Sequence, residues 1–218
     1  MDWTRTIDAY CERTDAAFWS EPVNALTNLA FLLAAAVMWP RVRGMPLGRI
    51  LCAILAVIGI GSFLFHTFAT GWASAADTIP ILTFILAYLL AANPHFWGMG
   101  PGLAVLATAA FLPFAWVTTP WLAHLPLLGR SAAYLPVPIL ILGHAAGLRR
   151  RAPATARGLA LGAGLLLASL TARSVDGAAC AAFPLGTHFL WHLLNALMLG
   201  WMIEVYRRRM LAKGGARG

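Results

Sequence analysis

His66 closes one long apolar stretch, and His188 and His192 open another more than a hundred residues later. The pair reads HFLWH, an i,i+4 spacing that puts both imidazoles on one face of a helix. Three imidazoles with a fourth position open are the ligand set of a catalytic zinc site. Ser62 stands four residues before His66 and shares its helical face. Asp77 is the only carboxylate between Glu21 and Asp176, and it opens a third apolar stretch. Beside a metal, a carboxylate is a candidate general base and a hydroxyl a candidate oxyanion donor.

Each residue also has a structural reading. Asp77 suits a helix N-cap at the positive end of the dipole, and one residue can fill both roles. Ser62 can bond back to its own helix, while Gly59 and Gly61 let neighbouring helices approach closely. His188 and His192 can hydrogen-bond between helices. Two histidines at i,i+4 and a third at matching depth favour metal over that reading. The other histidines carry less. His95 and His124 fall in expected loops beside prolines, and His144 falls in the inner half of another stretch, where it reads as structural.

These residues must be positioned by membrane elements. The chain has 218 residues, 60% hydrophobic and 11% charged, with a mean hydropathy of +0.73. A soluble domain carries about 25% charged residues. The expected fold is an all-α, polytopic membrane bundle of seven transmembrane helices. The seven stretches are Val23–Val42, Gly48–Phe68, Asp77–Ala92, Gly102–Thr119, Ala132–Leu148, Ala156–Ala172 and Thr187–Tyr206. Proline and glycine clusters punctuate them, among them Pro40 with Pro46, Pro94 with Pro101, Pro120 with Pro126, and Pro153. No period-two alternation suggests a β-barrel. Residues 1–22 are polar and acidic with no apolar signal core, so the first span is expected to be an uncleaved anchor. The organisation is an outer segment (1–22), the bundle (23–206) and a basic cytoplasmic tail (207–218) that is expected to be disordered from Lys213 onward.

The net charge of +8 sits in short loops. It reads as an orienting signal rather than a nucleic-acid surface. Twelve Lys and Arg residues fall on one side, including Arg41, Arg43, Arg149–Arg151 and Arg207–Arg209. Only Arg5, Arg13, Arg130 and Arg173 fall on the other. The positive-inside rule then puts the N-terminus outside and the C-terminus in the cytoplasm. With that topology His66, Asp77, His188 and His192 all fall in the outer third of the membrane. The histidines played no part in the count.

Cys11 and Cys180 share the outer side, where an oxidising compartment allows a disulfide; two free thiols are the other reading. Cys52 lies within the second span. The N-terminal segment crowds Asp8, Glu12, Asp15 and Glu21 near Asn24 and Asn28. Oxygen ligands at that density can hold calcium, or the segment is simply an acidic outer flank.

Four blocks resemble the alkaline ceramidases and their bacterial ceramidase-domain relatives, within a wider superfamily of seven-helix membrane hydrolases. They are Tyr10-Cys11-Glu12 with Phe18-Trp19 and Glu21-Pro22-Val23-Asn24; Gly59-x-Gly61-Ser62-x-x-x-His66; Asp77-x-x-Pro80; and Asp176-x-x-x-Cys180 followed by Gly186-Thr187-His188-x-x-Trp191-His192. The resemblance implies zinc on His66, His188 and His192, with Ser62 and Asp77 beside it, and a Cys11–Cys180 disulfide. In the eukaryotic members an acidic N-terminal site holds calcium, for which Asp8, Glu12 and Glu21 are the candidates here. The chain departs from that pattern. Asp8 is shifted, Ala17 stands where the family has an acid, and Arg13-Thr14 follows Glu12.

The expected activity is zinc-dependent hydrolysis of the amide bond of ceramide or a related membrane lipid, releasing a fatty acid and a sphingoid-type amine. The expected location is a bacterial inner (plasma) membrane, with the site near its outer face and no nucleic-acid partner. One alternative is a seven-helix receptor or lipid-binding protein with a structural metal. A transporter would need charged or broken helices at the midplane. A di-iron oxidase would need more histidines and carboxylate ligands.

Overall fold

The computed structural model describes residues 2–215. Its elements in order are α1 (Pro22–Thr27), α2 (Leu29–Arg41), α3 (Pro46–Phe68), α4 (Gly71–Trp97), α5 (Pro101–Ala109), α6 (Phe111–Leu122), a 3-10 segment (Gly129–Tyr134), α7 (Pro136–Leu148), α8 (Pro153–Ala179) and α9 (His188–Gly215). Among the described residues the only strand-like pairing is one bridge between Thr6 and Thr70. The chain is all-helical.

Six helical stretches are long and apolar enough to cross a membrane: Pro22–Arg41, Pro46–Phe68, Gly71–Trp97, Pro101–Leu122, Pro153–Ala179 and His188–Gly214. The stretch expected over Ala132–Leu148 is different. Its first part forms the 3-10 segment, and α7 has only 13 residues. That is about 20 Å of helix against a hydrocarbon core of about 30 Å.

Several prolines expected to separate helices instead begin them or lie within them. Pro46, Pro101, Pro136 and Pro153 occupy the first turns of their helices. A proline there loses no hydrogen bond and its φ is already helical. Pro40, Pro80, Pro94 and Pro120 lie inside helices, as membrane helices tolerate. α4 is therefore much longer than Asp77–Ala92, and His95 belongs to it rather than to a loop. At the C-terminus, α9 continues through the basic residues to Gly215, so 213–215 are helical; residues 216–218 lie outside the described part.

α3 packs against α2, α4 and α9, and α9 also packs against α2 and α8. These contacts bury the polar ends of α3 and α9 beside one another. α5 and α6 lie at the periphery, with Trp116 and Trp121 almost fully exposed. Leu29, Leu33, Leu106 and Leu197 also face outward. A surface this apolar suits lipid rather than water. At the far end of α9, the Glu204 carboxylate takes 2.8 Å contacts from Arg207 and Arg208, and Arg41 on α2 lies 3.6 Å away.

The N-terminal segment is not a loose flank. The Ile7 amide donates to the Ala69 carbonyl at 2.7 Å, and the Gly71 amide to the Arg5 carbonyl at 3.1 Å. Cys11 is disulfide-bonded to Cys180, while Cys52 is free and buried. The segment thus roofs one end of the bundle, where α3 ends and α4 and α9 begin.

Candidate metal centre

His66, His188 and His192 converge beneath that roof. Their exposures are 1%, 2% and 0%. One nitrogen from each ring lies within 4.8 Å of the others. His66 Nε2, His188 Nδ1 and His192 Nε2 are fully buried and have no hydrogen-bond partner among the described residues. Three buried rings this close together, each with an orphaned nitrogen, are destabilising unless something satisfies those nitrogens. They are the right number and type for zinc, although imidazole suits other ions as well.

The outer nitrogens of two rings are fixed. His66 Nδ1 donates to Glu21 Oε2 at 2.6 Å. His192 Nδ1 meets Thr27 Oγ1 at 2.9 Å. The Thr27 hydroxyl gives its own proton to the Val23 carbonyl at 2.8 Å, so it accepts from His192. Both rings are then protonated on Nδ1, with the Nε2 lone pair turned inward. This is how ligand histidines are oriented by outer partners. His188 lies under Tyr10, whose ring is stacked on it at 3.5 Å between centroids.

Glycines bring the other candidates in. A Cβ on Gly61 would collide with the Ala76 carbonyl, so only glycine lets α4 lie this close to α3. Gly59 likewise gives room to Phe31 and the Asn28 carbonyl. The close approach sets Ser62 facing the Asp77 carboxyl, within electrostatic reach of His66 and Arg173. Asp77 is not a helix cap. The helix begins at Gly71 after Thr70, and Asp77 lies in its second turn.

Asp176 organises the start of α9. It is 1% exposed and accepts the amides of Cys11, Thr187 and His188 at 2.8–3.0 Å. Gly186, at φ +64°, turns the chain against it where any Cβ would strike the carboxylate. The carboxylate therefore holds the first turn of α9 at the height where His188 meets the other rings.

The three carboxylates proposed for calcium are not gathered into one site. Asp8 is exposed. Both oxygens of Glu12 accept backbone amides at the start of α1, from Val23 at 2.7 Å and Asn24 at 2.8 Å. Glu21 is bound by Arg13, whose Nε donates to Oε1 at 2.5 Å. Arg13 also donates to the Asp15 carbonyl at 3.1 Å and the His66 carbonyl at 3.0 Å. A guanidinium thus already pairs the Glu21 carboxylate and two backbone carbonyls. Burial works to raise the Glu21 carboxyl, but the hydrogen bonds from His66 and Arg13 hold it below its ordinary value.

An apolar cavity lies inside the bundle, between α4, α7, α8 and α9. Ile81, one turn beyond Asp77, lines its near end with Trp191, which lies between His188 and His192 in sequence. Phe96, Met202 and His144 line the far end. His144 is bonded to its own helix, with Nδ1 2.9 Å from the Leu140 carbonyl.

Sequence reasoning found the three histidines, Ser62 and Asp77, and it singled out Glu21 for a different role. It missed Arg13 and Thr27 as partners of the site, and Asp176 as its organiser. No protein-family model and no curated protein matches this chain.

Proposed function

We propose that this protein is a metal-dependent hydrolase of a membrane lipid amide, with ceramide as the substrate type. The observation that carries the reading is the trio of orphaned histidine nitrogens, in a bundle whose apolar cavity is lined by Trp191 and Asn195 of the same helix as His188 and His192. A polar reaction centre over a slot for hydrocarbon suits a substrate that is polar at one end only. The sequence resemblance to the alkaline ceramidases supports the same chemistry.

His66, His188 and His192 would hold the ion, for which zinc is the proposed identity. Bound there, zinc supplies a Lewis acid that brings the pKa of water down to about 7. Asp77 takes the proton of the attacking water. It returns that proton to the amide nitrogen as the carbon–nitrogen bond breaks, giving a carboxylic acid and an amine. Ser62 donates to the ionised Asp77 carboxylate; once Asp77 has taken the proton, the Ser62 hydroxyl is released to donate to the carbonyl oxygen on which charge develops. Glu21 and Thr27 keep His66 and His192 in the ligating tautomer. The N-terminal roof and the buried rings exclude bulk water.

In the proposed membrane arrangement the site lies near the outer leaflet of a bacterial inner membrane. The N-terminus is outside, the Arg-rich end around Glu204 is cytoplasmic, and α7 with its 3-10 extension forms a seventh, shorter crossing.

The test is release of fatty acid from a ceramide-type amide by purified protein. His66→Ala is expected to abolish release and remove bound metal. Asp77→Asn is expected to abolish release while metal stays bound. A protein that binds metal but hydrolyses no lipid amide would instead be the receptor or lipid-binding type.

A further inference from the structure

Asn195 is 2% exposed and lines the apolar cavity. Its neighbours on the same face of α9 are Trp191, Met198 and Leu199, and Leu166 of α8 also lines the cavity. Apart from the histidines of the cluster, two other buried polar groups on the helices around the cavity are paired. The Tyr88 hydroxyl donates to the Met202 carbonyl at 3.1 Å, and the Ser169 hydroxyl to the Trp191 carbonyl at 3.1 Å. The Asn195 amide takes part in no hydrogen bond among the described residues. A primary amide has two donors and two acceptor positions, and in an apolar setting their loss is strongly unfavourable. An intramembrane polar side chain facing a cavity is a functional candidate by default.

The position of Asn195 says what it meets. It lies seven residues beyond His188 and three beyond His192 on α9, roughly 10 Å and 5 Å along the helix axis. Hydrocarbon lying in the cavity from a carbonyl at the histidines would pass Asn195 within its first several carbons. A plain chain leaves the amide unpartnered, whereas a chain with a hydroxyl at that depth pairs it. Sites built to hydrogen-bond a hydroxyl discriminate strongly against the analogue that lacks one, because the protein group is then stranded.

We infer that Asn195 is a specificity-determining residue that selects lipid chains bearing a hydroxyl a short distance from the carbonyl. The inference rests on the lipid-amide reading and names a subclass of its substrates.

The probes are long-chain methyl ketones, which present a carbonyl but cannot be hydrolysed. The plain ketone is compared with isomers carrying one hydroxyl at successive carbons. Binding to the full chain in lipid nanodiscs is followed by native mass spectrometry. One or two neighbouring isomers are expected to bind at least about tenfold tighter than the plain ketone. Asn195→Leu is expected to erase that preference while binding the plain ketone as well or better. Asn195→Ser keeps a hydroxyl, is expected to retain part of the preference, and serves as the probe should the leucine variant fail to fold. Equal binding of all isomers, or a preference that survives in Asn195→Leu, overturns the role of Asn195 and leaves the lipid-amide reading standing. Failure of every ketone to bind overturns both.

Discussion

Glu21 Oε2 lies 2.6 Å from Nδ1 of His66, and the other oxygen of the same carboxylate is held by Arg13. A buried ion pair of the N-terminal roof thereby fixes the tautomer of a histidine in the last turn of α3. Outer partners of this kind are typically worth 10- to 100-fold in metal affinity. Glu21→Ala is expected to weaken metal retention by about that factor, measured by competition with a chelator of known affinity. Unchanged retention would mean that Glu21 serves only the fold.

Thr27 plays the same part for His192 through a contact of 2.9 Å. Thr27→Val keeps the shape and removes the acceptor, so metal affinity should fall about tenfold. Thr27→Ser restores the oxygen and should restore affinity. A valine variant as good as wild type would show that packing alone orients the ring.

Gly61→Ala should act through the interface between α3 and α4. The added methyl group meets the Ala76 carbonyl, and overpacking of this kind costs about 1 to 3 kcal/mol. The melting temperature should drop, and the facing pair Ser62 and Asp77 should be pushed apart. Lipid-amide hydrolysis should therefore fall more than metal content does.

The disulfide between Cys11 and Cys180 spans 169 residues of sequence and pins the N-terminal roof beside Asp176. Its removal in Cys11→Ser is expected to destabilise the protein by about 2 to 5 kcal/mol. Thermal unfolding with and without reductant should show the shift in wild type and not in the variant.

Arg13 satisfies Glu21 and two backbone carbonyls without any added ion. Added calcium is accordingly expected to leave the melting temperature unchanged, since an ion that does not bind the folded state cannot stabilise it. A concentration-dependent rise would show that calcium binds the folded chain.

Much of this arrangement can be read from local sequence, and the unread parts share one physical cause. The i,i+4 pair His188 and His192 is a helix-face statement that needs no tertiary knowledge. The uneven spread of Arg and Lys placed His66 at matching depth. Asp77 is legible as a candidate base or a helix cap, and an apolar stretch taken to open at Asp77 misses the helical turns before it. The helix runs through them because α4 presses on α3 at Gly61. Arg13, Thr27 and Asp176 each act through a contact made across 50 or more residues or between different elements. No spacing rule reports such contacts. α7 shows the opposite failure: the apolar run from Ala132 is continuous in composition, yet Pro136 and Pro138 leave its first part to a 3-10 segment.

The most direct measurement is fatty-acid release from a ceramide-type amide by the purified full chain, taken before chelation, after chelation and after zinc is restored. The expected result is activity that disappears with the metal, returns with about one zinc per chain, and stays absent in His192→Ala under every condition. Activity that persists at full rate in metal-free protein would contradict the account.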